Sequence, residues 1–230
     1  MGVPGRRTLG LPMPTRKARF VIVGLTNGRA FTRNPCLASQ LSWVARRSLP
    51  VAGYTMLSYP TSAELKKYAA SGPYTTATLT GRLRNYGYAQ TRYALANAAR
   101  AGLAAPLVWV DVEPRAERPW SSRTARNRAV ITGALRAIRA RHLRAGIYSY
   151  AYAWRTLTGS WQLDLPLWMP SGSHASTWAK RRSAALAACR RTSFTGGALV
   201  MTQWVWNNRD YDIACPPLRD PADWFAVPGA

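Results

Sequence analysis

The sequence predicts an α/β fold, a sheet of parallel strands curled into a barrel with helices on its outside. Three observations carry that expectation. Short apolar runs alternate with segments of helical period along most of the chain, and those runs are apolar nearly throughout rather than at every second residue. The loop after the first run, Gly24-Leu25-Thr26-Asn27-Gly28, has the glycine spacing of neither a dinucleotide fold nor a P-loop. Strands buried on both faces need helices over them, and without a phosphate loop a barrel is favoured over a doubly wound sheet.

The first run, residues 20–25, is β-rich and stops at Gly24 and Asn27-Gly28. Asn34-Pro35 supplies an N-cap and a proline at the first helical position, opening a helix over 34–47. A second strand covers 51–58, and Thr61-Ser62-Ala63-Glu64 has the form of a capping box that starts a short helix. After a Gly/Thr-rich loop come a helix over 86–101 and a third strand over 106–112. The helix over 121–142 places Ile131, Leu135 and Ile138 on one side and leaves Arg128, Arg136 and Arg139 to solvent. Strands follow at 146–150, 165–169 and 198–204, with a helix over 175–190 between the last two. Residues 1–19 read as an N-terminal extension, 20–215 as one barrel domain, and 216–230, with four prolines, as a wrapping tail.

Composition narrows the function. The chain carries a formal charge of +23, and 28 of its 32 cations are arginines, so its partner is expected to be polyanionic. At 47% hydrophobic it can bury a core despite that charge. No apolar run approaches the ~20 residues of a membrane span. Two histidines, His142 and His174, have no neighbours at metal-ligand spacing, so neither a metal nor a cofactor is expected. Acid/base chemistry then rests on nine carboxylates.

Of these, Asp111-Val112-Glu113 at the end of Leu107-Val108-Trp109-Val110 is the informative pair. Residues i and i+2 of a strand face one side, so both carboxyls project together at the C-terminal end of a barrel strand, where barrel enzymes carry their chemistry. Two carboxyls that close repel, which raises one pKa and leaves a proton donor beside an ionised partner. The same spacing also fits a structural pair neutralised by Arg115 and Arg118. A second cluster, Asp210-Tyr211-Asp212, reads on its own as an Asp-capped turn. Aromatic residues stand at strand ends around both: Tyr54, Tyr59, Trp109, Tyr148, Tyr150, Trp168, Trp204 and Trp206. Carboxylates among aromatic faces suit sugar rings, which stack on such faces and are cleaved by paired acids.

The order of Phe20-Val21-Ile22-Val23-Gly24-Leu25, Asn34-Pro35-Cys36-Leu37-Ala38, Val51-Ala52-Gly53-Tyr54, Pro106 through Asp111-Val112-Glu113, Gly146-Ile147-Tyr148-Ser149, Pro166-Leu167-Trp168 and Gln203-Trp204 up to Asp212 resembles the glycoside hydrolase family 25 lysozymes over residues 20–215. The resemblance is to their secreted bacterial subtype. It implies a flattened TIM-like β/α barrel whose Asp-x-Glu ends a central strand. Glu113 is then the general acid/base, and Asp111 assists the substrate's own N-acetyl group. Asp212, with Asp210 as the alternative, matches the family's last-strand aspartate, and Tyr54, Tyr148, Trp168 and Gln203 line the sugar groove beside Trp204 and Asp210. The family's opening strand with Asp-Val-Ser has no match in residues 1–19. The barrel is therefore expected to lack its first strand, with the true start upstream of Met1.

Cys189 follows the helix before the last strand and Cys215 follows that strand, so the return path brings them within bridging reach in a barrel. The alternative is three reduced cysteines, Cys36 included. The expected function is hydrolysis of peptidoglycan or a related N-acetylated wall polysaccharide by a secreted or wall-associated monomer. A non-catalytic wall-binding module on the same fold is the competing class. Nucleic-acid binding is a third: the charge fits it, but no recognition motif is present and no sequence-specific partner is expected.

Overall fold

The computed structural model describes residues 13–15, 17–216 and 223–226. Strands β1 (Val21–Gly24), β2 (Val51–Met56), β3 (Leu107–Asp111), β4 (Arg144–Tyr148), β5 (Leu165–Pro170), β6 (Gly196–Trp206) and β7 (Arg209–Ala214) form one seven-stranded sheet in sequence order. Neighbours from β1 to β6 pair parallel, and β7 returns antiparallel along β6. The connections carry α1 (Leu37–Ala45), α2 (Ser62–Tyr68), α3 (Leu79–Arg100), α4 (Thr124–Arg139), α5 (Ala151–Thr158) and α6 (Trp178–Ala188). Neighbouring strands lie ~4.8 Å apart, so β2 and β5 would stand about 14 Å apart in a flat sheet. The Tyr54 and Trp168 rings on those two strands are 6.2 Å apart, which requires the sheet to curl. The result is a half-barrel with β1 and β7 at its edges.

Period-two alternation sorts the strand residues between two cores. Val108, Val110, Val112 and Ile147 face outward and pack with Leu95, Ile131, Leu135 and Ile138 of the helices. Ala52, Leu107, Trp109, Tyr148, Trp168 and Met201 fill the concave side. Helices α3 and α4 cross at glycines: a Cβ on Gly87 would meet the Val130 carbonyl oxygen at 1.9 Å, and one on Gly133 would meet that of Arg84 at 1.8 Å. Their absent side chains let the two backbones touch.

Several elements differ from expectation. Helix α1 starts at Leu37 rather than at Pro35: Asn34 Oδ1 accepts from the Cys36 N–H at 2.9 Å, so Asn34 holds the turn before the helix and Cys36 is the N-cap. Helix α3 starts at Leu79, because the Thr78 hydroxyl accepts from the Gly81 N–H at 3.0 Å and caps a first turn hidden within Gly/Thr-rich sequence. Helix α5 has no side-chain N-cap, and burial of Ala153, Trp154 and Leu157 stabilises it instead. Asp210-Tyr211-Asp212 is a strand rather than a capped turn. The turn is Asn207-Asn208, both at positive φ (47° and 56°), the two-residue hairpin form that asparagine tolerates.

From the expected tail, residues 223–226 reach the start of β2. Val51 N–H donates to the Ala226 carbonyl at 3.0 Å, and Ala226 N–H donates back at 2.8 Å. Phe225 is buried against Phe20, with ring centroids 5.0 Å apart, and closes the concave core at the N-terminal end of the strands. Residues 1–12, and Pro217, Asp220, Pro221 and Pro228 of the tail, lie outside the described residues. A disulfide joins Cys189 to Cys215, and Cys36 is a buried free thiol. No described helix is long and apolar enough to cross a membrane.

Candidate active site

At the C-terminal end of β3 the alternation continues past the last paired residue. Val112 packs with Val108 and Val110 on the helix side, which leaves Asp111 and Glu113 on the concave side above Trp109. The backbone there is fixed by three hydrogen bonds: Val112 N–H to the Tyr148 carbonyl at 2.9 Å, Ser149 Oγ to the Val112 carbonyl at 2.7 Å, and Trp120 Nε1 to the Glu113 carbonyl at 2.9 Å. Trp109 lies beneath the pair, and Gly146 on β4 makes room for it, since a Cβ there would come within 2.4 Å of the indole.

Asp111 is 3% exposed, and its Oδ1 has no hydrogen-bond partner in the protein. Burial raises its pKa well above the usual carboxylate range, and the charges of Glu113 and Asp210 add to that while Arg115 opposes it. Glu113 is half-buried; burial and Asp210 raise its pKa too, again against Arg115. The structural alternative, neutralisation by both nearby arginines, is therefore only half met. Arg115 donates to the Gly28 carbonyl at 2.9 Å and lies 3.6 Å from Glu117, whereas Arg118 pairs with Glu64 of α2.

The β6–β7 hairpin brings the second cluster to the same mouth. Gln203 is in register with Asp212, and the Gln203 Oε1 accepts from the Tyr148 hydroxyl at 2.7 Å. Asp212 Oδ1 accepts from Trp168 Nε1 at 2.9 Å. Burial, reinforced by the charge of Asp210, pushes the Asp212 carboxyl up to about 7, and hydrogen bonds from Trp168 and Gln203 hold it from rising further. Asp210 lies on the same side of β7, two residues closer to the rim. It keeps much of its surface in solvent, although the protein crowded around it raises its pKa. Tyr148 tilts against Trp168 at 4.4 Å and Tyr54 meets it edge-on. Burial raises both phenols, as do the surrounding carboxylates, so they stay protonated as hydrogen-bond donors.

The fold thus gathers Asp111, Glu113, Asp210, Asp212, Tyr54, Tyr148, Trp168 and Gln203 from six strands. Trp204 is the exception. It is one residue out of phase with Gln203, so it faces α6, stacks on Tyr211 at 5.2 Å and meets Trp178 at 5.9 Å. Ser149 and Trp120, which fix the backbone beneath the acids, were not singled out from sequence; their partners are carbonyl groups, which leave no side-chain pattern to read. Among the described residues, no cluster of three or more His, Cys, Asp or Glu is placed to hold a metal. What the arrangement offers is a pair of acids with raised pKa values on an aromatic floor.

Solved structures share this architecture. A muramidase from Trichobolus zukalii superposes with a TM-score of 0.56 at 18% identity, covering 87% of this chain and 84% of that one. A family GH25 lysozyme from Aspergillus fumigatus gives 0.52 at 14% identity, covering 81% and 76%. An uncharacterized B. stearothermophilus protein gives 0.51 at 13% identity, covering 96% and 91%. No curated protein matches the chain. The family model described as lysozyme-like protein 1 matches residues 47–181, more than half of the sequence and the part that contains the acid pair. The chain therefore belongs to the lysozyme-like protein 1 family, on the GH25 lysozyme fold.

Proposed function

We propose that the protein is a glycoside hydrolase that cleaves peptidoglycan or a related N-acetylated wall polysaccharide, with Glu113 as general acid/base and Asp111 as its assisting carboxylate. One observation carries this reading: two acids with raised pKa values share the concave face at the C-terminal end of a central strand, over an aromatic floor. Because they share one side of the strand end, the second proton leaves the pair less readily than the first. In the one-proton state, an acetamido N–H that donates to Asp111 favours the ionised form of Asp111 and leaves the proton on Glu113, which passes it to the glycosidic oxygen. The C–O bond breaks as the substrate's N-acetyl oxygen attacks the anomeric carbon. Asp111 accepts a hydrogen bond from the acetamido N–H and offsets the positive charge that develops there. Water then opens the intermediate, with the deprotonated Glu113 taking its proton. Asp212, held by Trp168 and Gln203, positions a sugar hydroxyl, and Tyr54, Tyr148 and Trp168 supply stacking faces and donors.

The charge of +23 supports attraction to an anionic wall polymer, and the Cys189–Cys215 bridge supports an oxidising, extracellular setting. Turnover of labelled peptidoglycan with release of new reducing ends is the test. Binding to the wall without new reducing ends would replace the enzyme with a binding module on the same fold.

A further inference from the structure

A second concavity, about 370 Å³, opens beside the acid mouth and is lined by Arg29 and Phe31 from the β1–α1 loop, Glu64, Lys67 and Tyr68 from α2, and Arg118 from the β3–α4 loop. Its charges do not balance. Glu64, its one carboxylate, is already engaged: Arg118 donates to it, and so does the Thr61 N–H at 2.9 Å, closing the α2 capping box. Arg29 and Lys67 are exposed, and neither has a carboxylate partner within ion-pair distance among the described residues. One wall is an aromatic pair, Phe31 stacked on Tyr68 at 3.7 Å with Lys67 over the Tyr68 ring at 5.0 Å.

The position is fixed by the segment that carries Glu113. Arg118 is five positions beyond Glu113, so their Cα atoms are at most about 18 Å apart. A turn holds that segment, with Arg118 N–H donating to the Arg115 carbonyl at 3.1 Å, and Arg115 ties it to Gly28 next to Arg29. A polymer lying across the acid pair therefore passes the cavity within a few sugar units.

We propose that this cavity is an anion subsite of the same groove, with Arg29 and Lys67 receiving a carboxylate or phosphate borne by the polysaccharide. The inference rests on the polysaccharide reading. The excess of two positive charges selects an anionic group, the aromatic wall seats the sugar or linker that carries it, and the Glu64–Arg118 pair fixes the geometry without neutralising the two free cations.

Calorimetry at about 50 mM salt, where screening is weak, separates the two readings. The probes are three N-acetylated oligosaccharides of equal length: neutral, carboxylated and phosphorylated. The proposal expects an anionic form to bind the wild-type protein about tenfold more tightly than the neutral one. In R29Q/K67Q that advantage should vanish while the neutral affinity stays unchanged. The control R136Q/R139Q removes two exposed cations of α4, the same change in net charge, and should keep the advantage. Whichever anionic form shows the gain identifies the group. Equal binding of all three, or a gain that survives R29Q/K67Q or is lost equally in the control, overturns the subsite and leaves the groove reading standing. No binding of any oligosaccharide overturns both.

Discussion

Two carboxylate environments stand a short loop apart and behave in opposite ways. Glu64 lies at a helix N-terminus. Burial pushes its pKa up, but hydrogen bonds from Arg118 and Thr61 outweigh that and hold it below the usual value. Asp111 and Glu113 also meet burial, with the charge of Asp210 added on both, that of Glu113 added on Asp111, and only Arg115 in opposition; both are raised. The difference is one of partners, and Arg118 decides it. In sequence it stands five residues from Glu113, yet its guanidinium goes to a residue 54 positions away. A carboxylate that accepts an arginine's hydrogen bond is held in its charged form; without one, burial makes that form costly.

The largest effect expected on that contrast is from Glu113→Gln. It keeps the shape and removes the donor, so hydrolysis should drop by about 10²- to 10⁴-fold with polysaccharide binding intact, read as reducing ends against pull-down. Retention of more than a tenth of the activity would mean the acid is elsewhere. Asp111→Asn should cost at least about 10²-fold in turnover. It should also raise the melting temperature at neutral pH, because a buried carboxyl whose charged form is penalised by burial and by Glu113 is removed. A melting temperature that falls instead would show that Asp111 is held by partners and breaks the comparison from the other side.

The pH dependence of stability sharpens it further. A carboxyl whose folded pKa is raised favours the folded state most when protonated. Stability linked to Asp212 is fully present below 3.8 and is lost as the pH rises toward about 7. Glu64 works in reverse: its contribution is present above 4.5 and lost as the pH falls through its lowered folded value. Urea titrations between pH 4 and 8 should show Asp212→Asn flattening the decline toward neutral pH. In Glu64→Gln the loss should appear at neutral pH, at about 1 kcal/mol. Intermediate in size, reduction of the disulfide, which spans 26 positions, should cost on the order of 3 kcal/mol. It ties α6 to the end of β7 and should leave the Asp111–Glu113 pair in place, so residual activity of the reduced, still folded protein is the measurement.

Much of this was legible in the chain itself. The strand ends of β3 and β5, the capping box at Thr61, and the shared face of Asp111 and Glu113 follow from local periodicity, which side-chain alternation imposes whatever surrounds it. Helix α5 and the first turn of α3 were not legible. The former depends on burying Trp154 in a core assembled from distant residues, and the latter on a threonine cap inside a sequence that otherwise reads as loop. The β6–β7 hairpin did leave a signal, Asn207-Asn208 at positive φ, and within β6 the strand alternation sends Gln203 and Trp204 to opposite faces. The sequence by itself determined the alternating architecture and the acid pair, because both are set within a few residues. Only the tertiary structure decided which arginine serves which carboxylate and that Asp212 joins Trp168 and Gln203. It also decided that Arg29 and Lys67 share a cavity, because long side chains choose partners by distance in space rather than by distance along the chain.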